Sequence, residues 1–163
     1  MGLTTAIDTP LDRTRTYRLE RVQLVRRPLR AVFAFFSSAE NLERITPPWL
    51  SFRLLTPGPI EMRTGATIAY RLRLHGIPLT WVSLIELWER EQGFVDRQLC
   101  GPYRFWRHQH EFTEIDAGTW VQDRVDYALP LGRVGSLLGT PMVRRDLARI
   151  FDYRRTAVAN LLG

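Results

Sequence analysis

The stretch from Arg104 to Thr113 holds two of the three histidines in this 163-residue chain, His108 and His110. In an extended strand, residues two apart share a face, so both imidazoles lie with Arg104, Trp106 and Phe112. Phe105, Arg107, Gln109, Glu111 and Thr113 take the opposite face. Trp106 and Phe112 mark the histidine face as the inward one. The following stretch alternates Thr119, Val121, Asp123, Val125 and Tyr127 against Trp120, Gln122, Arg124 and Asp126, which puts an acid, Asp123, on an apolar face.

Asp116 and Ala117 suit a tight hairpin that pairs Ile115 with Gly118, and each step back along one strand then matches a step forward along the other. In that register His110 stands opposite Asp123, His108 opposite Val125 and Trp106 opposite Tyr127; a one-residue bulge would undo the arrangement. The same counting across Cys100 to Tyr103 brings Arg97 opposite Trp106. The inward face of that strand then carries either Arg97 or the pair Asp96 and Gln98. The candidate ligand-binding residues are therefore Trp106, His108, His110, Asp123, Tyr127 and Arg97, with His110 and Asp123 the candidate catalytic pair.

An imidazole hydrogen-bonded to a carboxylate is held in one tautomer and can act as base, acid or ligand anchor. The plainer alternative is a buried polar pair whose members simply satisfy each other. Two histidines at this spacing, with Asp123 as a third donor, also have legitimate metal-ligand geometry. That spacing is not specific, no cysteine or further histidine supports it, and His75 falls in a turn. Neither a metal nor a cofactor is expected.

Several elements must position these groups. Arg18 to Arg26 reads as a first strand. Pro28 suits a first helical turn, with Leu29, Val32, Phe33 and Phe36 on one face, and the Ser37/Glu40 spacing starts a second short helix that ends before Pro47 and Pro48. From Trp49 onward the period is two, broken by turns at Pro57 to Pro59, Gly65, His75 to Pro78, Glu89 to Gly93, Gly101 to Tyr103 and Asp116 to Gly118. Six more strands fit between these turns as an antiparallel meander. After a turn-rich passage from Leu129 to Pro141, the residues Val143, Leu147, Ile150, Phe151, Val158 and Leu161 keep helical spacing to the end. A curled sheet of about seven strands needs its concave face covered, and the long helix has the stripe to cover it. The reading is a tail over residues 1–16 and one α+β domain over 17–163.

This order of elements resembles the START-like (SRPBCC, helix-grip) superfamily, which includes polyketide cyclases, lipid-transfer domains, pollen-allergen proteins and coenzyme Q-binding proteins. A narrower likeness is carried by Asn41 to Leu50, by Gly101-Pro102-Tyr103 with Trp106 to Phe112, and by Tyr127 to Gly132. These stretches are similar to a bacterial polyketide cyclase/dehydrase-like and lipid-transport-like subgroup. The resemblance implies a helix-grip fold around a cavity for a lipid, quinone or polyketide-like molecule. It also raises a cyclase or dehydratase in which His110, oriented by Asp123, moves a proton while Arg97 or His108 stabilises negative charge. A shared fold hosts many functions, so the site has to be argued from its own residues.

Composition narrows the classes. All 23 basic residues are arginine, and the formal net charge is +6. Those arginines alternate with acids nearly throughout, unlike the concentrated face of a nucleic-acid binder. Arg144, Arg145, Arg149, Arg154 and Arg155 cluster in the last helix but are interrupted by Asp146 and Asp152, so a solvated face is expected. An interaction module using that helix is the third functional class. No apolar tract is long enough to span a membrane, no signal peptide is apparent, and a cytoplasmic location is the default. The lone Cys100 reads as structural. Gly132, Gly135 and Gly139 lack the Gly-Lys-Ser/Thr of a phosphate loop and read as a mobile loop at the cavity mouth. Nor is there a Gly-x-Ser-x-Gly elbow. The expected partner is a small hydrophobic ligand, with no nucleic acid; the oligomeric state stays open.

Overall fold

The computed structural model describes residues 16–130 and 132–163. The expected tail lies, apart from its last residue, outside them. The seven strands are β1 (Tyr17–Val25), β2 (Arg53–Leu54), β3 (Thr67–Leu74), β4 (Ile77–Glu89), β5 (Gly93–Cys100), β6 (Phe105–Ile115) and β7 (Gly118–Ala128). They form one antiparallel sheet in the order β1-β7-β6-β5-β4-β3-β2. Consecutive strands pair as a meander, and β1 closes against β7.

The β6–β7 hairpin has the register that two-residue counting gives: Ile115 pairs with Gly118, His110 with Asp123, His108 with Val125 and Trp106 with Tyr127. Gly118 sits at φ 136°, where side chains are rarely tolerated, and a Cβ there would collide with the Val25 carbonyl oxygen. Glycine at this position therefore lets the hairpin lie tightly against β1. Strand β4 shifts register against β5 twice, between Val82 and Ser83 and between Ile85 and Leu87. Such irregularities bend a strand and increase its twist, curling the sheet around the site.

Between β1 and β2 lie α1 (Leu29–Phe36), a 3-10 turn (Ala39–Asn41), α2 (Leu42–Ile45) and a second 3-10 turn (Pro48–Leu50). The expected Ser37/Glu40 capping box does not form. The Ser37 amide instead donates to the Phe33 carbonyl and closes α1, while Glu40 accepts a 2.6 Å hydrogen bond from Ser38 Oγ. One anticipated helix is thus split into a 3-10 turn and a four-residue helix.

The last helix, α3 (Gly132–Leu162), corrects another expectation. Gly132, Gly135, Gly139 and Pro141 are helical here and form no loop. Proline removes one i→i−4 hydrogen bond, yet helical backbone continues through Pro141. Leu147, Phe151 and Val158 are buried against the concave face of the sheet. Among the described residues no helix is long and apolar enough to cross a membrane.

Candidate functional site

Helix α3 does not fill the whole concave face. A cavity of about 190 Å³ remains, walled by Ile68 and Tyr70 of β3, Trp81 and Ile85 of β4, and Ile150 and Phe151 of α3. That is room for on the order of a dozen waters or ligand atoms. Its aromatic wall is continuous. Trp81 stacks on Tyr70 at 6.0 Å and meets Trp106 edge-on at 5.2 Å, and Tyr103 packs against both tryptophans.

Among the described residues, Asp96 of β5 and His108 and His110 of β6 bring ionisable groups to this wall, with Asp123 of β7 next to them. Along β6 the inward residues are Trp106, His108, His110 and Phe112, all buried. Strand pairing places Asp96 beside His108 and Asp123 beside His110. The two imidazoles lie 3.8 Å apart, centroid to centroid, between the two carboxylates. On one side, His108 Nε2 donates to Asp123 Oδ1 at 2.9 Å. His110 Nδ1 lies at the same distance from that oxygen but outside hydrogen-bonding geometry. On the other side, His110 Nε2 donates to Asp96 Oδ2 at 3.2 Å, and His108 Nδ1 is 3.7 Å from the same oxygen. From α3, Arg154 Nη2 reaches to 3.5 Å from Asp123 Oδ1, its guanidinium lying over the Phe36 and Phe151 rings.

Burial alone would raise the Asp123 carboxyl, but the Arg154 charge and the two imidazoles overcome it and hold the group well below the usual carboxylate range. Asp96 follows the same logic: burial opposes ionisation, while the His110 hydrogen bond and the nearby cationic charges win. The histidines separate. Burial, reinforced by His110, lowers His108 despite the pull of the carboxylates. For His110, burial is outweighed by its interactions with Asp123 and Asp96, and its pKa rises. The two adjacent imidazoles are thus displaced in opposite directions, His110 becoming the more basic of the pair.

The structure brings together Trp106, His108, His110 and Asp123 as expected, but Asp123 stands behind the imidazoles and does not line the cavity. Tyr127 is buried in the aromatic cluster with Trp106 and also lies off the cavity wall. Arg97 is misplaced by one residue. It pairs with Arg107, not Trp106, and is exposed, so Asp96 is the inward residue. The cause is the β5–β6 connection. Gln98 bonds both the amide and the carbonyl of Tyr103, which delays the start of β6 and shifts the pairing by one. In a strand, such a slip exchanges the faces. Asp96 was one of the two alternatives open to sequence counting; Arg154 was hidden in a cluster that reads as a solvated face. The other members of that cluster, Arg144, Arg145, Arg149 and Arg155, are exposed.

Asp96, His108 and His110 each offer one ligand atom, all within 4.8 Å of one another. The carboxylate grouped with the two imidazoles is that of Asp96, where spacing along the sequence offered Asp123 as a possible third donor.

The sequence matches the family described as polyketide cyclase/dehydrase and lipid transport over residues 25–152. The chain belongs to this family. Among solved structures, this family member is similar to the Zhui aromatase/cyclase from Streptomyces sp. R1128, with 17% identity and a TM-score of 0.70 over 91% of this chain and 94% of that one. It is also similar to major latex-like protein 151 from Panax ginseng, with 12% identity and a TM-score of 0.65 over 91% and 98% of the two chains. Protein Ms6760 from Mycobacterium smegmatis gives 14% identity and a TM-score of 0.65 over 89% and 90%. At these identities the likeness establishes the helix-grip fold. No curated protein matches the sequence significantly.

Proposed function

We propose that this family member binds a small, largely aromatic or apolar molecule in the cavity, with a polar end oriented against Asp96, His108, His110 and Arg154. The observation carrying this reading is the asymmetry of the wall. Tyr70, Trp81, Trp106 and Phe151 supply apolar surface, and the ionisable groups gather at one place. Ligand sites typically combine an apolar enclosure with a few convergent polar groups. The cavity size favours one or two rings over a long acyl chain.

The reading predicts a small molecule released on denaturing protein purified gently from its host, detected by native against denaturing mass spectrometry. A bicyclic phenol such as 2-naphthol should quench Trp81 and Trp106 fluorescence saturably, and Ile68→Phe, which fills the cavity, should abolish the quenching. Equal binding by wild type and Ile68→Phe would place the ligand elsewhere and defeat the proposal.

A second reading, proton transfer on a bound carbonyl compound, is favoured by the opposite pKa displacements of the adjacent imidazoles. Paired groups pushed apart in this way suit acid and base roles. In that reading His110, the more basic ring, supplies a proton to the developing oxyanion and His108 accepts one. Deuterium exchange at the α-carbon of a small aromatic ketone should be faster with wild type than with His110→Gln; equal rates would leave the binding reading alone.

A further inference from the structure

Asp96, His108 and His110 bring three possible ligand atoms within 4.8 Å of one another on the cavity wall. A carboxylate can only accept, so the 2.9 Å contact to Asp123 puts a proton on His108 Nε2. The other ring nitrogen, Nδ1, turns toward the Asp96 carboxylate and stops 3.7 Å short of it. A cation held between them would be coordinated from both sides.

The distances suit one. Metal–ligand bonds of about 2.1 Å in a tetrahedral site put donor atoms about 3.4 Å apart. Asp96 Oδ2 lies 3.2 Å from His110 Nε2 and 3.7 Å from His108 Nδ1. On the far side Asp123 Oδ1 is 2.9 Å from both remaining ring nitrogens. Metal-bound histidines characteristically donate their other N–H to a carboxylate, which fixes the ring and raises its basicity. We propose that Asp96 Oδ2, His108 Nδ1 and His110 Nε2 bind one divalent transition-metal ion of the Zn²⁺ or Fe²⁺ class, with Asp123 as the positioning residue for both imidazoles. Binding requires His110 to carry a proton on Nδ1, where a small ring adjustment hydrogen-bonds it to Asp123; the ion displaces the Nε2 proton, which passes to solvent water as the metal–nitrogen bond forms. Arg154 Nη2 lies 3.5 Å from Asp123 Oδ1 and also lines the cavity, so its charge is part of the ion's surroundings.

Two nitrogens and one carboxylate oxygen form a ligand set shared by catalytic zinc and non-haem iron sites. Three protein donors leave at least one position for water or a ligand oxygen, and all three residues line the cavity. This ion would give the cavity a Lewis-acidic anchor for a carbonyl, phenolate or carboxylate. The inference goes beyond the organic-ligand reading and does not depend on it.

The test uses the full chain, stripped with chelator and titrated with Co²⁺ and then Zn²⁺ in the absence of any organic ligand. One equivalent of Co²⁺ should produce visible ligand-field bands that Zn²⁺ bleaches. Asp96→Asn and His108→Gln should each weaken binding by about 100-fold or more, and Asp123→Asn by about 10–100-fold with unchanged far-UV circular dichroism. His75→Ala, at an exposed histidine, should bind as wild type. Because buried variants can misfold, ¹⁵N NMR of the wild-type histidines provides an independent readout: Zn²⁺ should shift His108 Nδ1 and His110 Nε2 and leave His75 unmoved. The proposal is overturned if no cobalt spectrum develops, if Asp96→Asn binds Zn²⁺ as tightly as wild type, or if only His75 shifts.

Discussion

At the α1 end of the sheet, Phe33 and Phe36 drive edge-on into Phe112 at 5.4 and 5.5 Å, and Val32, Val121 and Val158 close the remaining space. At the other end, Trp81, Trp106 and Tyr127 face Leu147 and Phe151 of α3, yet a cavity remains. Both ends are rich in large apolar side chains. What separates them is how closely the covering elements sit: α1 packs its phenylalanines directly onto β6 and β7, whereas over β3 and the bulged β4 the covering residues Ala39, Leu42 and Ile45, together with α3, stand around a space they do not fill. His108, His110 and Asp123 sit where these two regimes meet. Hydrophobic content therefore does not distinguish a filled core from a binding cavity; how tightly the covering elements close on the sheet does.

The comparison is broken most severely by truncating the plug. Phe112→Ala should cost about 3–5 kcal/mol, since a buried ring leaves a void in a region already closely packed; chemical denaturation measures it. Enlarging a side chain should separate the ends next. Val32→Phe at the filled end should cost about 1–3 kcal/mol through overpacking. Ile68→Phe at the hollow end should cost less than that, because the added ring has the cavity to enter. Equal losses from the two would mean that the cavity is not a real difference between the ends.

The boundary itself should respond to pH in chelator-treated protein. His110 is raised in the folded state, so its stabilisation is present below the ordinary imidazole range and is lost as pH rises through the raised value. Asp96 and Asp123 are lowered, so theirs is present above the ordinary carboxylate range and is lost as pH falls through their folded values. His108 is lowered, chiefly by burial, so it also favours unfolding as pH falls through the ordinary imidazole range toward its lowered value. Melting temperature should therefore decline on both sides, and His110→Gln should remove the alkaline decline just above about pH 6.5. The smallest effect belongs to the surface pair His75–Asp146, which ties the β3–β4 turn to α3 at 2.7 Å with His75 half exposed. Its loss in His75→Ala should change stability by no more than about 1 kcal/mol, less at high salt.

Much of the frame is written locally. The period-two runs, their turn residues and the stripe of Leu147, Phe151 and Val158 specify a meander and a covering helix, because side-chain periodicity is a backbone property. The β6–β7 register was also legible, because a two-residue hairpin leaves one way to count. The β5–β6 register was not: the Gln98–Tyr103 bonds alter the connection, and only those contacts decide that Asp96 turns inward and Arg97 outward. The glycines and Pro141 likewise read as a loop, yet the backbone stays helical from Gly132.

The sequence by itself determined the order of elements and the shared face of His108 and His110, since spacing along one strand needs no partner. Only tertiary structure decided that Asp96 and Arg154 complete the cluster, that Asp123 stands behind it, and that space is left in front. Those outcomes depend on residues distant in sequence meeting across β5, β7 and α3, and on the volume their side chains fail to fill.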